Sequence, residues 1–168
     1  MNISMYHASA PRFVNMLRNL SAILDKAQAF ADARKIDPTV LASARLYPDM
    51  LPMSRQVQIA SDTAKGAVAR LAGIDIPKYD DTEQTLADLK ARVAKTIEFI
   101  GTVKPAQIDG SEDREITLKL GGKEVKYTGM QYLLGFAQPN FYFHVTTAYD
   151  ILRHNGVDIG KADYIGNP

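Results

Sequence analysis

Apolar residues recur every three or four positions along most of the chain, and the period breaks only around certain glycines and prolines. From Phe13 they continue through Leu17, Leu20, Leu24, Ala27 and Ala31, with Met16 and Ile23 widening the stripe. That spacing predicts an amphipathic helix of about five turns or more. Its start near Met5 or near Pro11 stays open, because proline is accommodated in a first turn and kinks a helix anywhere later. Asp37-Pro38 reads as an N-cap and first-position proline of a short helix reaching about Ala44. Arg45–Pro52 (RLYPDMLP) carries two prolines and reads as an irregular connection. A second long helix is predicted over Met53–Ala72, with Val57, Ala60, Ala64, Val68 and Leu71 inward and Gly73 as its stop. Pro77 and Tyr79-Asp80-Asp81 form a loop, and Asp81 with Gln84 resembles a capping box. Leu86, Leu89, Val93, Ile97 and Ile100 then define a third long helix, ended by Gly101 and Pro105.

The period next changes to two. Ile116, Leu118 and Leu120 alternate with Thr117 and Lys119; beyond Gly121-Gly122, Val125 and Tyr127 alternate with Glu124 and Lys126. This predicts a β-hairpin, an insertion over about 115–127. Thr128–Phe136 returns to helical character, and Pro139 starts or kinks the last long helix, whose stripe is Phe141, Val145, Ala148 and Leu152. Asn155-Gly156 closes it. The tail, residues 157–168, has no period, yet Ile159, Tyr164 and Ile165 argue that it lies on the helices. The expected fold is all-α: one domain over residues 1–168, a four-helix bundle with a β-hairpin between helices three and four.

Composition narrows the chemistry. The 168 residues, 46% apolar and 23% charged, suffice for a single core. Twenty Lys and Arg against nineteen Asp and Glu leave +1, so no global field draws the chain to nucleic acid or an acidic membrane. The absence of cysteine excludes disulfides, thiolate metal sites and a cysteine nucleophile. Met1–Met5 has no basic n-region, and the longest apolar run, about Tyr132–Ala137, falls far short of the ~20 residues of a membrane span. A cytoplasmic location is the expectation, which makes the acceptor match at Asn2-Ile3-Ser4 a chance one.

Few motifs survive scrutiny. Gly156-Val157-Asp158-Ile159-Gly160-Lys161-Ala162 has one residue too few for a phosphate loop, ends in alanine and follows a helix. Lys119, Lys123 and Lys126 alternate with glutamates and read as lysine protection of an edge strand. His154 suits the last turn of its helix, and His7 a helix surface or core edge. His144 lies about 60° around its helix from Phe141, at the edge of the buried face. It is either a hydrogen-bonded core-edge group or part of a site. Gln58 and Asp62, four residues apart on one face of the second long helix, could meet it where the two helices pack. Arg45, Tyr47 and Asp49 could wall a pocket at that end, or simply stabilise their loop.

The segments Arg45–Gly73 (RLYPDMLPMSRQVQIASDTAKGAVARLAG) and Phe141–Gly166 (FYFHVTTAYDILRHNGVDIGKADYIG) resemble an uncharacterised domain-of-unknown-function family. That family is placed in the DinB/YfiT-like superfamily of metal-dependent four-helix bundles. The resemblance implies a divalent metal held by one histidine of helix two and an H-x-x-x-H pair of the last helix. Here the pair falls on His144 and Ala148, and the helix-two ligand falls near Gln58. One imidazole of three remains, which favours a degenerate site without a cofactor. Three readings compete. The first is a small-molecule-binding bundle lined by His144, Gln58, Asp62, Tyr47 and Arg45. The second is an enzyme in which His144, Asp62 and His7 hold zinc or nickel. The third is an interaction module, and a homodimer is the expected assembly.

Overall fold

The computed structural model describes residues 3–166; Asn2 and its acceptor match lie outside the described residues. A short helix α1 (Met5–Ala8) stops at Ser9, whose hydroxyl donates to the Met5 carbonyl at 2.6 Å. The long helix α2 (Ala10–Arg34) then begins with Pro11 in its first turn, where a missing N–H costs nothing. Helix α3 (Pro38–Ser43) is capped by Asp37, which accepts from the Thr39 amide at 2.8 Å. Helix α4 (Met53–Ala72) ends at Gly73, and α5 (Leu86–Thr102) follows an irregular segment of the chain. The capping box of α5 is Thr85 with Asp88 and not the expected Asp81 with Gln84. Asp81 is drawn away by two arginines, so its charge serves a tertiary contact instead.

A single-turn helix α6 (Pro105–Ile108) leads to the hairpin, β1 (Ile116–Leu120) and β2 (Lys123–Tyr127). The strands are antiparallel with Ile116 opposite Tyr127 and Leu120 opposite Lys123. Gly121 and Gly122 take φ of 56° and 81°, the left-handed pair that a two-residue hairpin turn requires. Beyond the hairpin, α7 (Gly129–Tyr132) runs into a π-helical turn (Leu133–Ala137) and then α8 (Gln138–His154). Pro139 lies at the start of the last long helix, in the first turn of α8 directly after the widened turn. Gly129 is required at the entry to α7, since a Cβ there would stand 1.9 Å from the Ser111 carbonyl oxygen.

The molecule is therefore mostly helical with one small antiparallel sheet. Helix α4 packs between α8 and α5, and α2 closes against α5 and α8. The inward stripes are those read from the period, with Phe13, Leu17, Leu20, Val57, Ala64, Leu89, Val93, Phe141 and Val145 all buried. Phe13 and Phe141 meet edge to face at 4.9 Å between ring centres. The tail does lie on the helices. Val157 and Ile159 are buried, and α9 (Lys161–Ile165) rests on α2. There Asn19 donates its amide to the Tyr164 and Ile165 carbonyls, at 3.0 and 2.8 Å. No helix among the described residues is long and apolar enough to cross a membrane.

Candidate functional site

Helix α4 carries two separate polar faces. Asn140 of α8 bonds Thr63 at 2.9 Å and His144 bonds Gln56 at 2.7 Å, so the two helices run antiparallel with Gln56 and Thr63 at their seam. At 100° per residue, Gln58 lies about 200° and Asp62 about 240° around the helix from Gln56. The expected meeting of Gln58 and Asp62 with His144 therefore does not occur; Asp62 points toward α5 and Gln58 toward the segment before it.

His144 is 8% exposed, and its imidazole faces the amide of Gln56. The Gln56 Nε2 donates to the Leu51 carbonyl at 2.9 Å, which can only accept. That bond fixes the amide, leaving Oε1 to accept from a protonated Nδ1 of His144. Burial holds the imidazole below its usual pKa of 6.5, so the pair is neutral. Position 148 supplies only a buried methyl group.

The other face of α4 meets a charge cluster around Arg92 of α5, whose side chain is 1% exposed. Its guanidinium reaches Asp62 at 2.8 Å, Asp81 at 3.0 Å, Glu83 at 2.9 Å and the Asp80 carbonyl at 3.1 Å. Burial works against the charged form of Arg92, but the Glu83 hydrogen bond and the charges of Asp62 and Glu83 more than restore it, and its pKa is raised. Burial likewise raises Asp81, but the Arg55 bond at 2.5 Å and the charges of Arg92 and Arg55 outweigh it, so its carboxyl titrates lower than usual. Gln58 joins the cluster, donating to Glu83 at 2.8 Å and accepting from Arg55 at 2.7 Å. Lys65 donates to Asp62 at 2.6 Å and lies 3.6 Å above the Tyr79 ring. The segment between α4 and α5 is thus pinned to both helices by charge. Beside it opens a cleft of about 430 Å³ lined by Tyr79, Thr82, Glu83, Asp88, Arg92 and Lys95.

The remaining candidates scatter. Arg45 donates to the Met50 carbonyl and closes its own loop, while Tyr47 and Asp49 are exposed, so this loop does not wall a pocket at His144. His7 is exposed on α1, 3.0 Å from the Ser4 hydroxyl, and touches neither His144 nor Asp62. His154 is exposed at the end of α8, as expected. Among the described residues no three His, Asp or Glu side chains converge as metal ligands. The residues present do not fit the divalent ion that the resemblance implies. One imidazole faces an amide already committed to a carbonyl, and the candidate carboxylate, Asp62, is spent on two cations. Arg92 and Gln56 were the residues missed. Their only signal was a polar group inside an apolar stripe: Arg92 three positions after Leu89 and beside Val93, Gln56 between Met53 and Ala60.

The chain belongs to the family named "Domain of unknown function (DUF1993)", whose model matches residues 5–165. It is similar to the crystal structure of a DinB family member protein from Shewanella denitrificans, at 45% identity and a TM-score of 0.87. That likeness covers 97% of this chain and 92% of the other. No curated protein matches the chain.

Proposed function

We propose that this protein is a small-molecule-binding four-helix bundle, formed by α2, α4, α5 and α8, whose ancestral metal position has become a structural hydrogen bond. The observation that carries the reading is the His144–Gln56 pair. A neutral imidazole bonded through Nδ1 to a fixed amide, with alanine one turn on, offers at most one nitrogen to a cation. Tight sites need three or more protein ligands with supporting partners. What the fold offers instead are clefts of about 430 Å³, between α5 and the segment before it, and 230 Å³, between α4, the hairpin and the π turn, near or within the size of small-ligand sites. Protein purified without added metal should carry well below one equivalent of zinc, nickel, iron or manganese by elemental analysis, and a chelator should leave its melting temperature unchanged. Near-stoichiometric metal that survives dialysis and is lost in His144→Ala overturns the reading. Native mass spectrometry of the same sample tests the small-molecule half, through a bound mass released on denaturation.

The proposal includes a two-fold homodimer. Leu134 at 52% exposure and Phe143 at 56% put large apolar side chains on the surface of the π turn and α8, and a copy of the same face is a fitting cover. Light scattering at tens of micromolar should give twice the chain mass; a monomer removes this part of the proposal.

A further inference from the structure

The 430 Å³ cleft has a charge-compensated cation at its back, since Arg92 already serves Asp62, Asp81 and Glu83 and only its buried Nε lacks a partner among the described residues. The smaller one, about 230 Å³ between α4, the hairpin and the π turn, differs in this respect. Its arginine, Arg70, is half-buried and forms no ion pair among the described residues. One nitrogen donates to the Tyr132 hydroxyl at 3.2 Å. Burial pushes the Tyr132 phenol up, so this bond leaves the guanidinium charge uncompensated. A guanidinium has five N–H donors in a planar fork that matches a carboxylate edge on.

Leu118, Leu120, Tyr132 and Phe136 give the cleft an apolar side opposite in character to Asp62, Thr63, Arg70 and Lys119. Tyr132 and Phe136 stack with ring centres 6.1 Å apart and planes at 21°, and Leu118 of β1 also lines the cleft. The π turn that carries Phe136 inserts its extra residue here, a distortion often found beside ligands. Lys119 stands exposed at the rim. Thr63 accepts from Asn140, which leaves its own hydroxyl proton to donate. Asp62 also borders the cleft, with its charge shared between Lys65 and Arg92.

Gly66 supplies an independent reason. It lies inside α4, where glycine weakens a helix relative to alanine. A Cβ at this position would stand 2.6 Å from the Arg70 Nη1. The absent side chain lets the guanidinium fold back along the helix toward the aromatic wall.

We propose that this cleft binds a small aromatic carboxylate, with Arg70 holding the anion and the ring lying against the Tyr132–Phe136 stack. The inference rests on the small-molecule reading and gives it a place and a ligand class. The test uses the full chain, ¹⁵N-labelled, titrated with benzoate and with neutral benzamide. Benzoate should shift amides around Arg70, Leu118 and Tyr132, while benzamide should not. Arg70→Gln should weaken benzoate about tenfold or more, the loss expected for a charge-assisted pair. Gly66→Ala should weaken it as well, by displacing the guanidinium, at an unchanged or higher melting temperature. Because that variant keeps both the fold and the charge, it separates binding from stability. Benzoate affinity unaltered by both variants, equal binding of benzamide, or no binding overturns the proposal. Shifts centred on Tyr79 and Lys95 also overturn it, while leaving the small-molecule reading intact.

Discussion

A buried neutral imidazole makes stability depend on pH with a definite sign. In the folded chain His144 binds its proton below 6.5, whereas in the unfolded chain it titrates near 6.5. Between those values the unfolded state holds more protons, so this contribution is complete above pH 6.5 and is lost as pH falls through the folded value. Melting temperature should decline on acidification from pH 6.5, and His144→Ala should flatten that stretch of the profile. The same substitution should cost about 2–4 kcal/mol in urea denaturation, since it empties buried volume and strands the Gln56 oxygen. A loss of only ~1 kcal/mol would mark a wet pocket instead. Either a seam or a site was open for His144 in the sequence, because its angular position is the same in both. Burial and the Gln56 partner support the seam. Arg92 was less legible still: its partners come from residues 62, 81 and 83, and no local pattern announces where three carboxylates converge. Arg92→Ala should cost about 2–4 kcal/mol, below the full loss of a buried ion pair because Asp62 and Asp81 are partly hydrated.

At the level of elements, apolar period and punctuation were enough to draw every long helix and the hairpin. The boundaries of α4 and the strand register follow directly from the stripe and the Gly-Gly turn. What they left out are features set by contacts across the chain. The α5 cap moved to Thr85 because Asp81 is held by Arg55 and Arg92, and the π turn has no period of its own. The charge-pinned segment before α5 should loosen in acid at a lower pH than the His144 seam. Asp81 has a depressed folded pKa, so its contribution is full above the usual 3.8 and is lost as pH falls below that value. Hydrogen exchange at residues 79–83, followed from pH 5 downward at low and high salt, should show opening there before α4 and α5 exchange. The close approach at α7 is purely steric. Gly129→Ala drives a methyl group into the Ser111 backbone, which cannot swing aside as a side chain would. It should lower unfolding stability by about 3 kcal/mol or more, measurable by urea titration.

On the scale of the whole molecule, one α2 side chain depends on residues made much later. The Asn19 amide is 9% exposed in the folded chain, and both of its recorded bonds go to the carbonyls of residues 164 and 165. The nearer partner lies 145 residues downstream. At ordinary rates of synthesis, that separation corresponds to about 7–30 s of elongation. Throughout that interval the growing chain can assemble α2 against α5 and α8 only with this amide still wet. The Asn19 contact therefore forms only after α2, α4, α5 and α8 have all been translated. A nascent chain stalled before residue 161 should carry an open α2 flank on the ribosome, and emergence of residues 161–165 would seal it.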